Sequence, residues 1–288
     1  MIELIGLDLD GTVFNNAKKI TAATRQAITA AISKGVYVVP VTGRPYAGLQ
    51  NANGLLEIPG VRYAITSNGA AIYDLETKQC IKREAMTVNK VAEVLQAIAP
   101  FPLVPDCFID GKGHMSISCR EKIRKLPMRR VMQDYILHTR VFVEDLTSFV
   151  QENTVNVEKI TINFFRAEDG RTLLHGSEVR KILEDIEGIT VVSGAPHNLE
   201  VNLAGVSKSS GLEALGGILG ISMHSMMACG DSENDMEMIR DVGFGVAMGN
   251  GSESVKKAAR FVTKSNEEDG VAFAIQQYVL SDNGTDVN

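Results

Sequence analysis

The chain begins with an apolar segment that ends in two acidic residues. Residues 2–16 read IELIGLDLDGTVFNN, and the apolar run is typical of a strand buried on both faces. Asp8 and Asp10 lie two positions apart, so their side chains leave the same face of the strand. Two such carboxylates repel each other and resist burial, unless a divalent cation such as Mg²⁺ neutralises them. On this spacing alone, a metal site and an ordinary solvated turn before Gly11 are equally good interpretations.

Strands and helices alternate near both ends of the chain. After the first strand, TAATRQAITAAISKG predicts a helix, and VYVVPVTGR and RYAITSNG predict two more strands, although Pro40 is unfavourable in a central strand. Towards the C-terminal end, SMMACGD, FGVAMGN and FVT predict strands, and SENDMEMIRDVG, SESVKKAAR and EEDGVAFAIQQYVL predict helices. This alternation predicts an α/β fold with a mainly parallel sheet and helices on both faces.

The middle of the chain has a different pattern. Its helical segments TVNKVAEVLQAIA and EVRKILEDIEG and its alternating strand EKITINFF form an α+β mixture without the polar clusters of the two ends. We therefore predict that residues 85–195 form a domain inserted into a first domain of residues 1–84 and 196–288. A chain of 288 residues with 44% hydrophobic and 22% charged residues is long and apolar enough for this arrangement.

Composition also limits the partners and the location that we expect. The formal net charge of −6 argues against a surface built to bind nucleic acid, but a metal ion and a few lysines can still attract a small anion. No segment approaches the ~20 apolar residues of a membrane span, and Glu3 and Asp8 interrupt the N-terminal run where a signal peptide would need apolar residues. We expect a cytoplasmic protein with neither nucleic acid nor membrane as a partner. We also expect reduced thiols at the scattered cysteines, which are Cys80, Cys107, Cys119 and Cys229.

Polar residues also follow the other predicted strands. They are Thr42 and Arg44 in VTGR, Asn68 in SNGA, Lys208 after NLEVNLAGVS, and Asp231, Asn234 and Asp235 in GDSENDMEM. Each group alone has an ordinary interpretation as a turn, a helix N-cap or a solvated lysine. Four such groups coincide at one edge of the predicted sheet, where open α/β sheets bind their ligands.

Together these motifs resemble the haloacid dehalogenase superfamily. D-x-D-G-T, T-G-R, S-N-G-A, a lysine and G-D-x-x-N-D occur here in that family's order, and the insert has the position found in its Cof-type subclass IIB phosphatases. The segment GVAMGNGSESVKKAARFVTKSNEEDGVAFAI is similar to the family's ending almost throughout, although Ser209 and Gly251 stand where Gly and Ala are more common. The resemblance implies a Rossmann-like core and an inserted α+β cap domain of the C2B type.

The resemblance also implies the chemistry of individual residues. Asp8 would attack phosphorus to form an aspartyl-phosphate, and Asp10 would protonate the leaving alcohol and then activate water. Thr42 and Lys208 would hold the phosphoryl oxygens during transfer. The further substrate-binding or phosphate-binding positions that it implies are Gly43, Arg44, Asn68 and Asn234.

A magnesium site is part of the same resemblance. Asp8, the backbone carbonyl of Asp10, and Asp231 would bind Mg²⁺. Asp235 would act through a metal-bound water or by orienting the catalytic lysine, and Asn250 would lie close to the metal loop.

The function implied by the resemblance is Mg²⁺-dependent hydrolysis of small phosphorylated metabolites, with sugar phosphates as the leading class. A sugar phosphomutase is a second hypothesis, because mutases of the superfamily carry the same pair of aspartates. A non-catalytic sensor of a phosphorylated ligand is a third hypothesis, although no residue that turnover requires is missing.

The insert would close over the phosphate site and exclude water. Its segment CREKIRKLPMRR, residues 119–130, concentrates basic side chains, for which a solvated surface is the favoured interpretation over a substrate site. The sequence leaves a homodimer through the cap or the sheet edge open.

Overall fold

The computed structural model describes residues 1–49, 54–153 and 155–281. These residues form two compact units, of which the second is inserted into the first. The first unit lies within Met1–Arg44, Leu49–Lys82 and Ser207–Asn288, and the second within Pro45–Gly48 and Arg83–Val206. None of the described helices has both the length and the apolar character that a membrane crossing needs.

The regular elements are numbered in chain order. The strands are β1 (Leu4–Leu7), β2 (Tyr37–Pro40), β3 (Tyr63–Thr66), β4 (Ala71–Asp74), β5 (Gln79–Arg83), β6 (Val104–Ile109), β7 (Lys112–Ser116), β8 (Val141–Val143), β9 (Lys159–Asn163), β10 (Ile189–Val192), β11 (Asn198–Leu203), β12 (Met226–Gly230), β13 (Phe244–Ala247) and β14 (Phe261–Val262). The α-helices are α1 (Ala22–Ser33), α2 (Tyr46–Leu49), α3 (Val88–Ile98), α4 (Arg130–Thr139), α5 (Leu146–Glu152), α6 (Gly176–Glu184), α7 (Lys208–Leu219), α8 (Met236–Asp241), α9 (Glu253–Ala258) and α10 (Gly270–Ile275).

A parallel sheet forms the centre of the first unit. Its five strands lie in the order β14-β13-β12-β1-β2, and each neighbouring pair is parallel. All residues of β1 are buried, as the apolar run predicted for a strand covered on both faces. Because the strands are parallel, the carboxyl ends of β1, β2 and β12 lie at one edge of the sheet.

The third predicted strand, β3, joins that sheet at a single position. Thr42 donates its backbone N–H to the Ile65 carbonyl at 2.9 Å, and a single parallel bridge joins Val41 to Ile65. Strand β3 then pairs antiparallel with β4, in a small sheet of order β3-β4-β5. The end of β3 therefore lies next to the loop that follows β2.

The second unit is an α+β mixture, as the sequence predicted. Its six-stranded sheet has the order β10-β11-β9-β6-β7-β8, in which only the pair β7 and β8 is parallel. Apolar residues of β6, β9 and β11 pack with buried residues of α3, α5 and α6 in one hydrophobic core. Two buried ion pairs, Arg140 with Asp106 and Lys159 with Glu200, add to this unit.

The insert extends further along the chain than the sequence suggested. The sequence prediction ended it at residue 195, whereas the second unit continues to Val206. The reason is β11, which pairs antiparallel with both β9 and β10 and thereby joins their sheet. At the N-terminal boundary, the unit begins at Arg83 rather than at residue 85.

Two predicted helices begin later than their sequence segments. The segment SENDMEMIRDVG starts with a 3₁₀ turn, Glu233–Asp235, and α8 begins only at Met236. The segment EEDGVAFAIQQYVL becomes helical at Gly270, because Asp269 has a left-handed backbone conformation with φ of 58°.

The basic segment 119–130 makes contacts within the insert. Arg124 forms an ion pair with Asp134 at 2.6 Å, and the Arg120 guanidinium lies 5.2 Å from the centroid of the Phe142 ring. These contacts agree with the surface interpretation of the segment.

Candidate active site

The ends of β1 and β12 bring two of the predicted aspartates side by side. Asp8 is the residue after β1, and Asp231 is the residue after β12. The backbone N–H of Asp8 donates to the Cys229 carbonyl at 3.0 Å, so the β1–β12 ladder continues through Asp8. The parallel register therefore carries both side chains to the same edge of the sheet.

The predicted lysine reaches the same edge from the first turn of α7. Ser207 caps this helix, since its hydroxyl accepts the N–H of Ser210 and its own N–H donates to the Ser210 hydroxyl. Lys208 Nζ donates to Asp8 Oδ1 and to Asp235 Oδ1, each at 2.6 Å. The lysine side chain is only 1% exposed, so these ion pairs are shielded from solvent.

The charges of this cluster do not balance. Asp8, Asp231 and Asp235 offer carboxylate oxygens that all lie within 4.8 Å of one another, whereas Lys208 supplies a single positive charge to them. Burial raises the pKa of Asp8 to about 7 and that of Asp231 to about 8, and the neighbouring carboxylates add to both increases. Burial alone would lower the pKa of Lys208, but Asp235 and Asp8 raise it above its ordinary value.

The carboxylate oxygens differ in what they already bind. Asp235 is fully engaged, because its Oδ1 accepts from the lysine and its Oδ2 accepts the backbone N–H groups of Asp231 and Ser232 at 2.9 and 3.0 Å. Asp8 Oδ2, by contrast, is buried and has no hydrogen-bond partner among the described residues. Asp231 Oδ1 accepts a long hydrogen bond of 3.4 Å from the Thr12 hydroxyl.

This donor set fits a divalent cation with a preference for oxygen. An unpartnered buried carboxylate oxygen and an excess of negative charge are both relieved by Mg²⁺. Asp8 and Asp231 are the residues that would hold the ion, while Asp235 orients Lys208.

Gly11 makes the close approach of Asp231 possible. A Cβ atom at Gly11 would lie 2.4 Å from Asp231 Oδ2, far inside van der Waals contact. Its φ of 97° also belongs to the region that favours glycine. The glycine of the D-x-D-G-T motif is therefore required by both space and backbone conformation.

Asp10 has different partners from those of Asp8. Arg44 donates from Nε and Nη2 to the two oxygens of Asp10 at 2.6 and 2.7 Å, and Lys18 Nζ donates at 2.6 Å. Burial would raise the pKa of Asp10, but Arg44 and then Lys18 hold it well below its ordinary range. In this arrangement Asp10 is a carboxylate that can accept a proton but has none to donate.

Arg44 is the main partner of Asp10 in the structure. The resemblance placed Arg44, with Gly43, among the substrate-binding or phosphate-binding residues. In the structure its guanidinium forms an ion pair with Asp10 and lies 5.5 Å from the centroid of the Phe14 ring. Gly43 lies half-buried in the same loop, between Thr42 and Arg44.

Thr42, Asn68 and Asn234 form the remaining side of the site. The Thr42 hydroxyl is buried and accepts the Arg44 N–H at 3.1 Å, which leaves the hydroxyl hydrogen to donate elsewhere. The backbone N–H of Asn68 donates to the Thr42 carbonyl at 3.1 Å. Asn234 Nδ2 donates to Asn68 Oδ1 at 3.2 Å, so the S-N-G-A and G-D-x-x-N-D motifs meet directly.

The turn that carries Asn68 has an unusual backbone. Ser67, Asn68 and Gly69 have positive φ angles of 53°, 58° and 98°. A Cβ atom at Gly69 would lie 2.0 Å from the Ser207 carbonyl oxygen. The turn therefore packs directly against the start of α7, one residue before the lysine, and glycine is required there.

Asn250 contacts the loop that follows Asp10. Its Nδ2 donates to the Gly11 carbonyl at 2.9 Å, so it contacts the loop after Asp10 and not a carboxylate. Its Oδ1 accepts the backbone N–H of Asn266 at 2.9 Å.

Sequence reasoning missed three residues of this region, which are Thr12, Lys18 and Asn266. Lys18 lies in a polar loop whose pairing with Asp10 depends on how the chain folds back, which a linear motif does not encode. Asn266 lies in the C-terminal segment GVAMGNGSESVKKAARFVTKSNEEDGVAFAI. The similarity of that segment to the family's ending was the sequence signal from which Asn266 could have been identified.

The sequence matches the family model described as haloacid dehalogenase-like hydrolase over residues 5–275. A protein of Streptococcus pyogenes that is named as a phosphatase is 32% identical to it over 97% of this chain and 99% of the relative. The 5-amino-6-(5-phospho-D-ribitylamino)uracil phosphatase YcsE of Bacillus subtilis is 30% identical, over 97% of this chain and 96% of the relative.

Solved structures agree with these relatives. The subclass IIB sugar phosphatase BT4131 superimposes with a TM-score of 0.81 at 25% identity, over 96% of this chain and 98% of that chain. A haloacid dehalogenase-like hydrolase of Bacillus subtilis gives a TM-score of 0.82 at 26% identity, over 96% and 99% of the two chains. The similarity therefore extends over both units of the fold.

Proposed function

Because this chain belongs to the haloacid dehalogenase-like hydrolases and is a phosphatase of that family, we propose that it is Mg²⁺-dependent and hydrolyses small phosphorylated metabolites through an aspartyl-phosphate on Asp8. Sugar phosphates are the leading substrate class. The observation that carries the proposal is the buried Asp8, held by Lys208 on Oδ1 while its Oδ2 has no hydrogen-bond partner.

The first step forms a bond between a carboxylate oxygen of Asp8 and phosphorus, and breaks the bond from phosphorus to the leaving oxygen. Asp8 and Asp231 would hold Mg²⁺, which would supply positive charge that favours the ionised nucleophile and neutralises phosphoryl oxygens. Lys208 Nζ, 2.6 Å from Asp8 Oδ1, also supplies positive charge that favours the ionised nucleophile. Asp235 keeps the lysine in place.

Asp10 handles the protons. It donates one to the leaving oxygen and later takes one from the water that attacks phosphorus, which releases phosphate and restores Asp8. In the described arrangement Asp10 is ionised and bound to Arg44 and Lys18. We therefore propose that the acid step requires the Asp10 carboxyl to turn away from these two cations and to take up a proton from solvent.

The substrate class rests on what the relatives act on. BT4131 is named as a sugar phosphatase and YcsE as a phosphatase of a ribityl phosphate. Both substrates carry a hydroxylated carbon chain beside the phosphate. Sugar phosphates and ribityl phosphates are therefore the first compounds to assay, and the insert is the part of the chain that we propose recognises the leaving group.

The test is phosphate release by the full chain across phosphorylated sugars, a ribityl phosphate, nucleotides and an aryl phosphate, with Mg²⁺ and with excess chelator. We expect release that requires Mg²⁺ and is absent in Asp8→Asn, which keeps the side-chain shape but removes the nucleophile. Isomerised sugar phosphate without net release would favour the phosphomutase instead. Binding without any turnover by the folded, Mg²⁺-loaded protein would favour the sensor and contradict the proposal.

A further inference from the structure

The C-terminal segment S-N-E-E-D-G, residues 265–270, has no role in the chemistry described so far. It nevertheless lies against the loop that follows Asp10. Asn266 is 7% exposed, and its Nδ2 donates to the Phe14 carbonyl at 2.9 Å in a buried hydrogen bond. The backbone N–H of Asn16 donates to a Glu267 carboxylate oxygen at 2.5 Å. The segment therefore holds the far end of that loop.

A second asparagine holds the near end of the loop. Asn250 Nδ2 donates to the Gly11 carbonyl, and Asn250 Oδ1 accepts the Asn266 N–H, both at 2.9 Å. The loop that carries Asn250 is fixed in turn, because the Gly249 N–H donates to the Lys264 carbonyl at 3.0 Å. Asn250 and Asn266, here called the asparagine pair, thus donate hydrogen bonds to two carbonyl groups of one loop and are hydrogen-bonded to each other.

The loop that the asparagine pair holds follows Asp8, the proposed nucleophile, directly along the chain. It folds back on the end of β1, since the Val13 N–H donates to the Asp8 carbonyl at 3.3 Å and the Phe14 N–H donates to the Leu9 carbonyl at 2.9 Å. Between these anchors lies Gly11, whose backbone has the fewest steric restrictions of any residue. The peptide that joins Asp10 to Gly11 would rotate easily if the loop were held by its N–H groups alone.

We propose that Asn266 is a positioning residue for the metal site, acting with Asn250 to fix the Asp10 carbonyl and the approach of Gly11 to Asp231. The inference rests on the proposed Mg²⁺ dependence. The asparagine pair holds the Gly11 and Phe14 carbonyls, so it fixes the Gly11–Thr12 peptide and thereby limits rotation of the neighbouring Asp10–Gly11 peptide. Neither asparagine contacts a carboxylate oxygen of the cluster in the described contacts, so the effect is on geometry and not on charge.

Asn266→Ala removes the bond to Phe14 and tests the proposal. Binding of Mn²⁺, a paramagnetic substitute for Mg²⁺, is measured by electron paramagnetic resonance on the full chain, so the readout does not depend on turnover. We expect the Mn²⁺ dissociation constant to rise about tenfold, as for other residues that orient metal ligands. The Mg²⁺ concentration for half-maximal phosphate release should rise in parallel, while the rate at saturating Mg²⁺ changes less.

Asn163→Ala is the matched control. Asn163 is 3% exposed and its Nδ2 also donates to a backbone carbonyl, that of Val104, at 3.1 Å in the insert. This variant should lower the melting temperature by a similar amount and leave the Mn²⁺ dissociation constant unchanged. Equal weakening of metal binding in both variants would show a general loss of stability and overturn the proposal.

Asn250→Ala keeps the test open if Asn266→Ala fails to fold, because the Asn250 side chain is exposed. It should weaken Mn²⁺ binding in the same direction, and the double variant should weaken it no more than the stronger single variant, since both act on one loop. Wild-type affinity in Asn250→Ala and Asn266→Ala would refute the inference alone. A wild-type protein that binds neither Mn²⁺ nor Mg²⁺ would refute the proposed metal dependence itself.

Discussion

At the scale of single residues, the site depends on contacts that no other side chain reproduces. Gly11→Ala places a methyl group 2.4 Å from an Asp231 oxygen, in addition to a backbone strain of about 1–2 kcal/mol. We expect metal affinity to fall by about 10- to 100-fold because Asp231 must move.

Gly35→Ala separates these two effects. Gly35 has a φ of 84°, but a Cβ atom there meets no atom of the described residues within 4 Å. The control should therefore lose stability from strain and keep its affinity for Mg²⁺, as measured by calorimetric titration. If the two variants bound Mg²⁺ equally well, the close packing of Gly11 against Asp231 would have no part in the metal site.

Lys208→Met tests the buried ion pairs at the same scale. The change leaves Asp8 and Asp235 without their cation, and we expect phosphate release to fall by at least about 10²-fold, as for the loss of other groups that stabilise developing charge. Stability, measured by urea unfolding, should fall by about 3–5 kcal/mol because a buried partner is removed.

Lys159→Met is the comparison for that prediction. Lys159 is also 1% exposed and pairs with Glu200 at 2.5 Å in the second unit. It should lose similar stability yet still hydrolyse an aryl phosphate, because that leaving group needs little recognition. An active Lys208→Met would remove the lysine from the proposed mechanism.

Residue motifs predicted which side chains gather, but not all of their partners. Asp8 and Asp231 follow parallel strands, which must bring such ends to one edge of the sheet, whereas Lys208 reaches this edge from the first turn of α7. The pairing of Asp10 with Arg44 and Lys18 arises from the path of two loops, which spacing along the chain does not encode.

At the scale of elements, the position of the lysine depends on where α7 begins. Gly69→Ala would put a Cβ atom 2.0 Å from the Ser207 carbonyl oxygen, and backbone cannot rotate aside as a side chain can. We expect the start of α7 to shift and the rate of phosphate release to fall by about 10²-fold, in line with a misplaced catalytic group.

Gly217→Ala, in the same helix, is the control for that change. A Cβ atom at Gly217 meets nothing within 4 Å, so the variant should keep its activity and gain about 0.5–1 kcal/mol from helix propensity. Full activity of Gly69→Ala would show that the contact does not set the position of Lys208.

Element boundaries were the least predictable part of the fold. The sequence prediction ended the insert at residue 195 and so assigned the strand β11 to the first domain. Its partners β9 and β10 place it in the insert instead. Strand pairing is a tertiary property, whereas the alternation of strands and helices is local and was predicted correctly.

At the scale of the whole molecule, the carboxylate cluster links stability to pH and metal. The raised pKa values of Asp8 and Asp231, about 7 and about 8, mean that the folded state holds more protons than the unfolded state above about pH 4. The unfolding free energy of the metal-free protein should therefore fall as the pH rises from about 4 to about 8.

Mg²⁺ should oppose this loss, because it binds the ionised carboxylates of the folded state. We expect the increase in melting temperature caused by Mg²⁺ to grow across the same pH range and to be much smaller in Asp8→Asn. Melting curves recorded with Mg²⁺ and with chelator at several pH values measure both effects. An increase that is independent of pH would contradict the assignment of these carboxylates to the metal.

The central claim is that Asp8 carries the phosphoryl group during turnover. The most direct measurement is mass spectrometry of Asp10→Asn after mixing with Mg²⁺ and an aryl phosphate, whose good leaving group needs no acid. Without Asp10 to activate water, the intermediate should accumulate, and one phosphoryl group should be found on the peptide that contains Asp8. Repeated turnover of the aryl phosphate by Asp10→Asn with no phosphoryl group on that peptide would contradict the account.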